Sequence, residues 1–352
     1  LGAAMATFVA LDIPLVVVFQ RMAAGVSVFT LMAIPFFIFA GDLMYRSGIA
    51  QRLVEVAEGA FGRARGGLGL VNVGASAMFG AVSGSAIASA SAMGSTLMPL
   101  MKDKGYDGDY AVNVTVTAAI VGLLIPPSHN MIIYSAASGI GVSIGDLFLA
   151  GVVPGILTAL ILMVVAWRVA VLRGYAKGTF PGWRIFLRAL FYAIPGLMAA
   201  IIIMGGILSG SATAFGYALA ILEAPTKLAN LITSTTDNPI LVLLIVNVIL
   251  LVLGTFMDMS PLIVITTPIL LPVVMQVGVD PVHFGIIMML NLGMGLVTPP
   301  VGSVLFVGSA VGNVPVEQAV KTIWPFYSAL LLALMIITFV PQLSLALPAM
   351  FK

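Results

Sequence analysis

Gly122-Leu-Leu-Ile-Pro-Pro-Ser128 and Gly295-Leu-Val-Thr-Pro-Pro-Val301 are one motif written twice, 173 residues apart. Each lies inside an apolar run. A Pro-Pro pair removes two amide donors and disfavours helix in the residue before it, so a helix must stop at each motif. The register holds outward from there. Pro99 matches Pro272, Gly105 matches Gly278 and Asp107 matches Asp280 at the same offset. Further out, Leu70-Val-Asn72-Val matches Ile245-Val-Asn247-Val, and Gly41 matches Gly216, at offset 175. Apolar residues match by chance easily, but a shared register of Pro, Gly, Asp and Asn does not arise that way. The chain carries an internal repeat.

The composition says where the repeat lives. Of 352 residues, 61% are hydrophobic and only 8% are charged, with a mean hydropathy of +1.17. Soluble domains carry about 25% charged residues, so a soluble enzyme is excluded, and a disordered chain is excluded by the same hydrophobicity. At roughly 20 residues per crossing the length allows about ten membrane segments. Cysteine is absent, which removes disulfides and thiolate metal sites. A net charge of +2 is too small for nucleic-acid binding. No signal peptide is visible. The chain opens at Leu1 within an apolar run, and its natural start is expected to lie further upstream.

Charges fall between the apolar runs. Arg168, Arg173, Lys177, Arg184 and Arg188 form a stretch with no acid, which the positive-inside rule places in the cytoplasm. Placing residues 46–65, 102–109 and the Lys321 loop there too puts twelve of fifteen Lys/Arg inside, leaving Arg21, Lys227 and Lys352 outside. On that orientation Leu190–Leu208 and Ala212–Leu222 both run outward, because Glu223–Asp237 is poor in Lys/Arg. Two outward crossings cannot follow one another, so a helix-sized stretch is expected to be missing near Ser209–Ser211. The alternative is that the outside placement of 223–237 is wrong.

The two copies differ in their flanks. Arg63, Arg65, Lys102 and Lys104 flank the first; Asp237 and Asp280 flank the second. This predicts inverted orientation, an architecture of secondary transporters. Within the first copy, Gly66–Val82 and Ala86–Met101 are each about 16 residues, short for a crossing, and meet at Ser83-Gly84-Ser85 with basic residues at both outer ends. This reads as a re-entrant hairpin entering from inside. Pro239–Thr255 and Leu262–Val277, around Phe256–Pro261, read as its counterpart from outside.

Breaks at membrane depth must be buried or line a polar cavity. Carbonyls of Gly122–Ile125 and Gly295–Thr298 are expected to lose their helical partners. With Ser or Thr hydroxyls and the tips (Ser83, Gly84, Ser85; Asp258, Ser260), they suit a desolvated Na⁺. Helix N-termini beginning at Ser128 and Gly302 suit an anion. One cation site per repeat with an anion between them follows from the symmetry. Plainer readings stand beside these. Pro-Pro reads equally as a plain kink or loop. Ser89, Ser91 and Ser95 fit small-residue packing, and Asp42 and Arg46, one turn apart, suffice to pair with each other. His129 reads equally as a capped histidine or a substrate donor, and the 20 Met residues as packing filler. Asp258, an acid inside an apolar run, is costly unless paired or functional.

Several stretches together resemble one family. They are Ile34-Pro-Phe-Phe-Ile-Phe-Ala-Gly41-Asp42, the Ser83-Gly-Ser85 tip, Met98-Pro-Leu-Met-Lys-Asp-Lys-Gly-Tyr106, Ile125-Pro-Pro-Ser128, Gly254-Thr-Phe-Met-Asp258-Met-Ser-Pro261 and Thr298-Pro-Pro300. The chain is similar, from about residue 10 to its end, to the large membrane subunit of tripartite ATP-independent periplasmic (TRAP) transporters, in the ion-transporter superfamily. The resemblance implies an all-α polytopic membrane protein with inverted repeats, each holding a re-entrant hairpin and a Pro-Pro-broken helix. It implies an elevator-type, Na⁺-driven importer of an organic anion such as sialic acid or a C4-dicarboxylate, in a bacterial inner membrane. It implies two partners: a small four-helix membrane subunit and a soluble periplasmic substrate-binding protein. It also implies two or more Na⁺ ions, at Ser83–Ser85 with Ile125–Ser128 and at Asp258–Ser260 with Val297–Gly302. The chain departs from the pattern after Gly205-Gly206-Ile-Leu-Ser-Gly210, where the family has a further helix and this chain passes to Ser211-Ala-Thr-Ala-Phe-Gly216.

The expected plan follows. Residues 1–65 are scaffold and an interfacial helix. The first transport repeat is 66–146 (hairpin 66–101, broken helix 109–140). Residues 147–211 are scaffold helices and a cytoplasmic loop, and 212–238 the scaffold of repeat two. The second transport repeat is 239–316 (hairpin 239–277, broken helix 282–312), and 317–352 a C-terminal scaffold helix. Expected metal ligands are Ser83, Gly84, Ser85, Gly122, Ile125, Ser128, Asp258, Ser260, Val297, Thr298 and Gly302. Expected substrate contacts are Ser85, Ser128, His129, Asn130, Asp258, Ser260 and Ser303. No catalytic residue is assigned and no enzymatic activity expected. Two rival readings are a self-sufficient Na⁺/dicarboxylate symporter and an intramembrane serine hydrolase using Ser83 or Ser85 with His129. No His-Glu-x-x-His metal motif is present, and His283 lies near an outer loop.

Overall fold

A computed structural model of the chain describes residues 48–178, 182–184, 186–191, 193 and 238–351. Asp42, Arg46, Gly41, Gly216 and the expected crossings at 190–208 and 212–222 lie largely or wholly outside these residues. The described residues are helical, and their one β-type pairing is an isolated bridge between Arg65 and Lys177.

Glycine, serine and proline punctuate the helices. After α1 (Ile49–Phe61), Gly66 at φ 68° opens α2 (Gly67–Ser83), and Gly84 at φ 63° ends it. A left-handed residue costs glycine nothing. Ser85 turns extended and caps α3 (Ala86–Asp103) by accepting from the Ala88 amide at 3.3 Å. The next helix, α4 (Gly108–Leu124), stops because Ile125 is held extended before Pro126. Ser128 then starts α5 (His129–Ser138), bent 49° from α4. A 29-residue helix follows, α6 (Ile144–Leu172), capped by Ser143.

The second series has the same order and similar lengths. It consists of α7 (Pro239–Gly254), α8 (Met259–Gln276), α9 (Pro281–Gly295) and α10 (Ser303–Gly312). Both Pro-Pro peptide bonds are cis. The C-terminal segment, expected as one helix over 317–352, is three: α11 (Val316–Thr322), α12 (Trp324–Phe339) and α13 (Gln342–Met350). Pro325 in the first turn of α12 cannot donate back to α11, and the two meet at 59°.

The two helices that end in Pro-Pro form the centre. Nearly every residue of α4 and α9 is buried, and α9 lies on α4 with Gly293 against Ile120 and Leu123. A helix apolar all round belongs in a core. Placing the broken helices there buries the first break at Pro126–Ser128, whereas Pro299, Pro300 and Val301 of the second break are exposed. The two series also exchange partners: α3 packs on α10 and α8 packs on α5. Gly94 lies against Val311, Gly312 lies against Met98, and the Lys102 ammonium donates to the Gly312 carbonyl at the end of α10. The outer surface is apolar. Ile156, Leu160 and Val164 stand exposed at four-residue spacing along α6, a stripe suited to lipid. Among the described residues, Ile144–Leu172 and Met259–Gln276 are long and apolar enough to cross a membrane, and the two bent pairs α4–α5 and α11–α12 qualify together. The chain is a multi-pass membrane protein.

Segment 147–172, expected as scaffold, packs against α2, α4, α9, α12 and α13. Its C-terminal end is fixed by charge. Arg173 reaches Asp107 and Asp109 at 2.9 Å each, and the Tyr175 hydroxyl donates to Asp107 at 2.7 Å. Burial, then this hydrogen bond, push the Tyr175 hydroxyl up to about 12.

Candidate transport site

Two glycine pairs set the first geometry. A Cβ on Gly80 would lie 2.2 Å from the Gly122 Cα, and a Cβ on Gly295 would lie 2.5 Å from the Gly254 carbonyl. Each pair lets the first helix of a series touch, backbone to backbone, the helix that ends in Pro-Pro. Buried amides fix the same contacts further along. Asn72 donates to Thr115 at 2.7 Å, and Asn291 donates to the Asn247 side chain at 2.7 Å. Asn72 and Asn247 are matched residues of the repeat.

With α2 held on α4, the Ser83–Ser85 turn lands on the first break. A Cβ on Gly84 would stand 3.2 Å from both the Pro127 carbonyl and the His129 amide, so Gly84 fits there for want of a side chain. Ser83 is buried, its hydroxyl 3.5 Å from the Ser85 carbonyl and amide. The Ser128 hydroxyl is buried with no hydrogen-bond partner among the described residues, and the His129 ring lies against the backbone of Gly84. The hydroxyls of Ser83 and Ser85 are engaged with the Ser85 backbone and the Ala88 amide, and among the described residues neither is hydrogen-bonded to His129.

The second turn reaches the same place from the other series. The Ser260 hydroxyl donates to the Asn130 side-chain oxygen at 3.2 Å, and the Asp258 carboxylate lies near enough to act electrostatically on His129. Asp258 is exposed and heads α8 without capping it through its side chain. Thus α3, α5 and α8 begin at Ser85, Ser128 and Asp258 in one neighbourhood. Three helix N-termini aim amides and partial positive charge at it. Of the expected substrate contacts, Ser85, Ser128, His129, Asn130, Asp258 and Ser260 gather here. Ser303 belongs to the second break, where its hydroxyl is buried without a partner.

The breaks differ in how many carbonyls they free. In the first, among the described residues, no backbone amide bonds to the carbonyls of Gly122, Leu123 or Ile125. That of Leu124 faces α6, where a Cβ on Gly151 would stand 2.1 Å away. In the second, the expectation that all of Gly295–Thr298 lose their partners is corrected. The Gly295 carbonyl accepts from the Thr298 amide at 3.0 Å, and that of Leu296 accepts from Val304 at 3.0 Å and Leu305 at 3.3 Å. Gly302 at φ 29° folds α10 back far enough for this. The carbonyls of Val297 and Thr298 are left without an amide partner among the described residues. The break is tied to the end of α7 by the Val301 amide, which donates to the Thr255 carbonyl at 3.2 Å. Thr255, Gly80 and Gly254 are absent from the expected site residues. Their signal is the small-residue spacing upstream of each tip.

These arrangements offer carbonyl clusters at helix C-termini beside amide clusters at helix N-termini. The model of the tripartite ATP-independent periplasmic transporter DctM component matches residues 1–216 and 210–343. The chain belongs to this family. It is 34% identical to the sialic acid TRAP transporter large permease SiaM of Vibrio cholerae, over 94% of this chain and 89% of that protein. It is 36% identical to the C4-dicarboxylate TRAP transporter large permease DctM of Pseudomonas aeruginosa, over 91% of this chain and 86% of that one. It is 37% identical to the isethionate TRAP transporter permease DctMQ of Oleidesulfovibrio alaskensis, over 97% of this chain, which spans 62% of that protein's length. The alignments to these TRAP permeases run to 382, 370 and 396 positions, more than the 352 residues present, so the relatives carry residues that this chain skips. The two matched pieces of the family model overlap at 210–216, beside Ser209–Ser211, where a helix-sized stretch is expected to be missing.

Proposed function

We propose that the chain is the large membrane subunit of a Na⁺-coupled importer of a small organic anion in a bacterial inner membrane. Isethionate, sialic acid and C4-dicarboxylates, named for three relatives, are all anions at neutral pH. A carboxylate is the substrate class we favour. Delivery falls to a soluble periplasmic binding protein, and a small four-helix membrane subunit braces the chain, as the tripartite family description supports. On this reading the two series are inverted-topology repeats and their helix pairs are re-entrant hairpins.

The observation that carries the proposal is the convergence of N-termini at Ser85, Ser128 and Asp258, with carbonyls freed at both breaks beside it. The anion sits between Ser128–Asn130 and Asp258–Ser260, held by helix amides and hydroxyls. One Na⁺ is held at Ser83–Ser85 with Gly122, Ile125 and Ser128. A second is held at Asp258 and Ser260 with Val297, Thr298 and Gly302. An anion moved through a low-dielectric interior is costly unless its charge is balanced nearby. Two cations at adjoining helix C-termini supply that balance, which couples anion movement to sodium. The unit that moves, by an elevator mechanism, comprises α2–α5 and α7–α10.

Uptake in proteoliposomes holding both membrane subunits, with loaded binding protein outside, tests the proposal. Accumulation is expected under an inward Na⁺ gradient and not under K⁺. Equal uptake in both, or full uptake without the binding protein, overturns it, the latter in favour of a self-sufficient symporter.

A further inference from the structure

Thr298 is an expected sodium ligand, and its hydroxyl is engaged in an unusual way. Its oxygen lies 2.7 Å from the Met294 carbonyl and 3.3 Å from the Tyr327 hydroxyl oxygen. A hydroxyl has one proton and two lone pairs. The carbonyl can only accept, and it lies at the shorter distance, so the Thr298 proton goes to Met294. Tyr327 must then be the donor to Thr298. One Thr298 lone pair is used by Tyr327 and one is left. The χ1 rotation of Thr298 is fixed from two sides, and its remaining lone pair has a set direction.

Tyr327 is not part of either series. It lies in the first turn of α12, directly after the α11–α12 bend, half-buried, with the Trp324 ring 6.1 Å away at 72°. Buried Phe326 anchors the same turn against Tyr110. Among the described residues the carbonyl of Thr298 has no amide partner, and a Cβ on Gly302 would stand 3.0 Å from it. Both Thr298 oxygens thus have capacity for a cation, and the hydroxyl has it in a direction that α12 dictates.

We propose that Tyr327 is a positioning residue for sodium at the second break: it holds the Thr298 hydroxyl with its free lone pair aimed at the ion. The proposal rests on the sodium-coupled reading above and extends it to a helix outside the repeats. It gives Trp324 a second consequence. An ion that draws on Thr298 perturbs Tyr327, and with it the ring packed on Tyr327.

The experiment uses the assembled membrane complex in detergent, titrated with NaCl at constant ionic strength against KCl. The midpoint of thermal unfolding is followed as a function of Na⁺, since an ion bound only by the folded state raises it. The parent yields a half-saturating Na⁺ concentration. Tyr327→Phe is expected to raise it about threefold to tenfold, the range of one lost hydrogen bond, with the unfolding midpoint in KCl little changed. In Thr298→Val, adding Tyr327→Phe is expected to have no further effect on Na⁺, because the two act through one hydroxyl. With Trp167→Phe and Trp183→Phe as background, Trp324 emission is expected to shift with Na⁺, and Tyr327→Phe to abolish the shift. An unchanged half-saturation in Tyr327→Phe, or an equal effect of Tyr327→Phe with and without the Thr298 hydroxyl, overturns the role of Tyr327. A parent that Na⁺ does not stabilise overturns the sodium reading itself.

Discussion

Gly122→Ala tests the contact on which the first turn depends. The new Cβ would stand 2.4 Å from the Gly80 Cα, whereas carbon atoms rest comfortably at roughly 3.5–4.0 Å. Because the obstacle is backbone, no side chain can swing away, and α2 and α4 must part by about 1–1.5 Å. Overpacking of this kind costs about 1–3 kcal/mol. Alanine returns up to about 1 kcal/mol through its higher helix propensity, which leaves a net cost of about 0–2 kcal/mol. The larger effect is on function. Gly84 lies one helical turn beyond Gly80 and sits on Pro127 and His129, so parting the helices lifts the turn from the break. The half-saturating Na⁺ concentration should rise about tenfold, equivalent to ~1.4 kcal/mol. Thermal unfolding and Na⁺-dependent uptake of the reconstituted complex measure the two effects. Gly80→Ala should behave alike, and the double variant should cost less than both together, since the helices part only once. A Gly122→Ala protein with parental unfolding and parental Na⁺ dependence would refute the reasoning.

Ser83→Ala and Thr298→Ala should each raise the Na⁺ requirement of uptake about tenfold, measured as half-saturation; a parental value in both removes sodium from the breaks. Asn130→Ala should raise the KM for the anion more than it lowers kcat, because it removes the partner of Ser260 at the expected substrate position; the converse pattern argues for a purely structural role. Arg173→Gln leaves the buried Asp109 without its cation and should destabilise by about 3 kcal/mol, read by thermal unfolding. Tyr175 loses its proton less readily when folded, so its contribution is fully present below pH 10 and disappears as pH rises from 10 to about 12. Tyr175→Phe should flatten that part of the alkaline unfolding profile, followed by circular dichroism.

Local chemistry made most of the helix boundaries legible. Pro126-Pro127 and Pro299-Pro300 stop α4 and α9, and Gly84 ends α2, for reasons contained in those residues. The limbs expected at 66–101 are helical at Gly67–Ser83 and Ala86–Asp103. The gathering of Ser128–Asn130 with Asp258–Ser260 is different in kind. It follows from which helices pack together, and no periodicity in the chain states that α8 lies on α5. The close approach of Gly80 to Gly122 was hidden for the same reason, since a glycine in an apolar helix looks alike whether it meets lipid, a side chain or another backbone. At the second break the sequence reading overcounted free carbonyls. Val304 and Leu305 reach back to Leu296 only because Gly302 turns the chain, a geometry that Pro-Pro alone does not specify. The C-terminal bend at Trp324-Pro325 was open to prediction, as the proline stands at the restart of the helix.

On this reading the two turns and the two breaks form one site for an anion and its sodium ions. A high-resolution map of the chain with its small membrane subunit, prepared in Na⁺ with the transported anion and again in K⁺, tests it most directly. The prediction is anion density between Ser128–Asn130 and Asp258–Ser260, with ion density near Ile125 and near Thr298, all three lost in K⁺. Anion density elsewhere in the molecule, or maps that do not differ between the two cations, would contradict it.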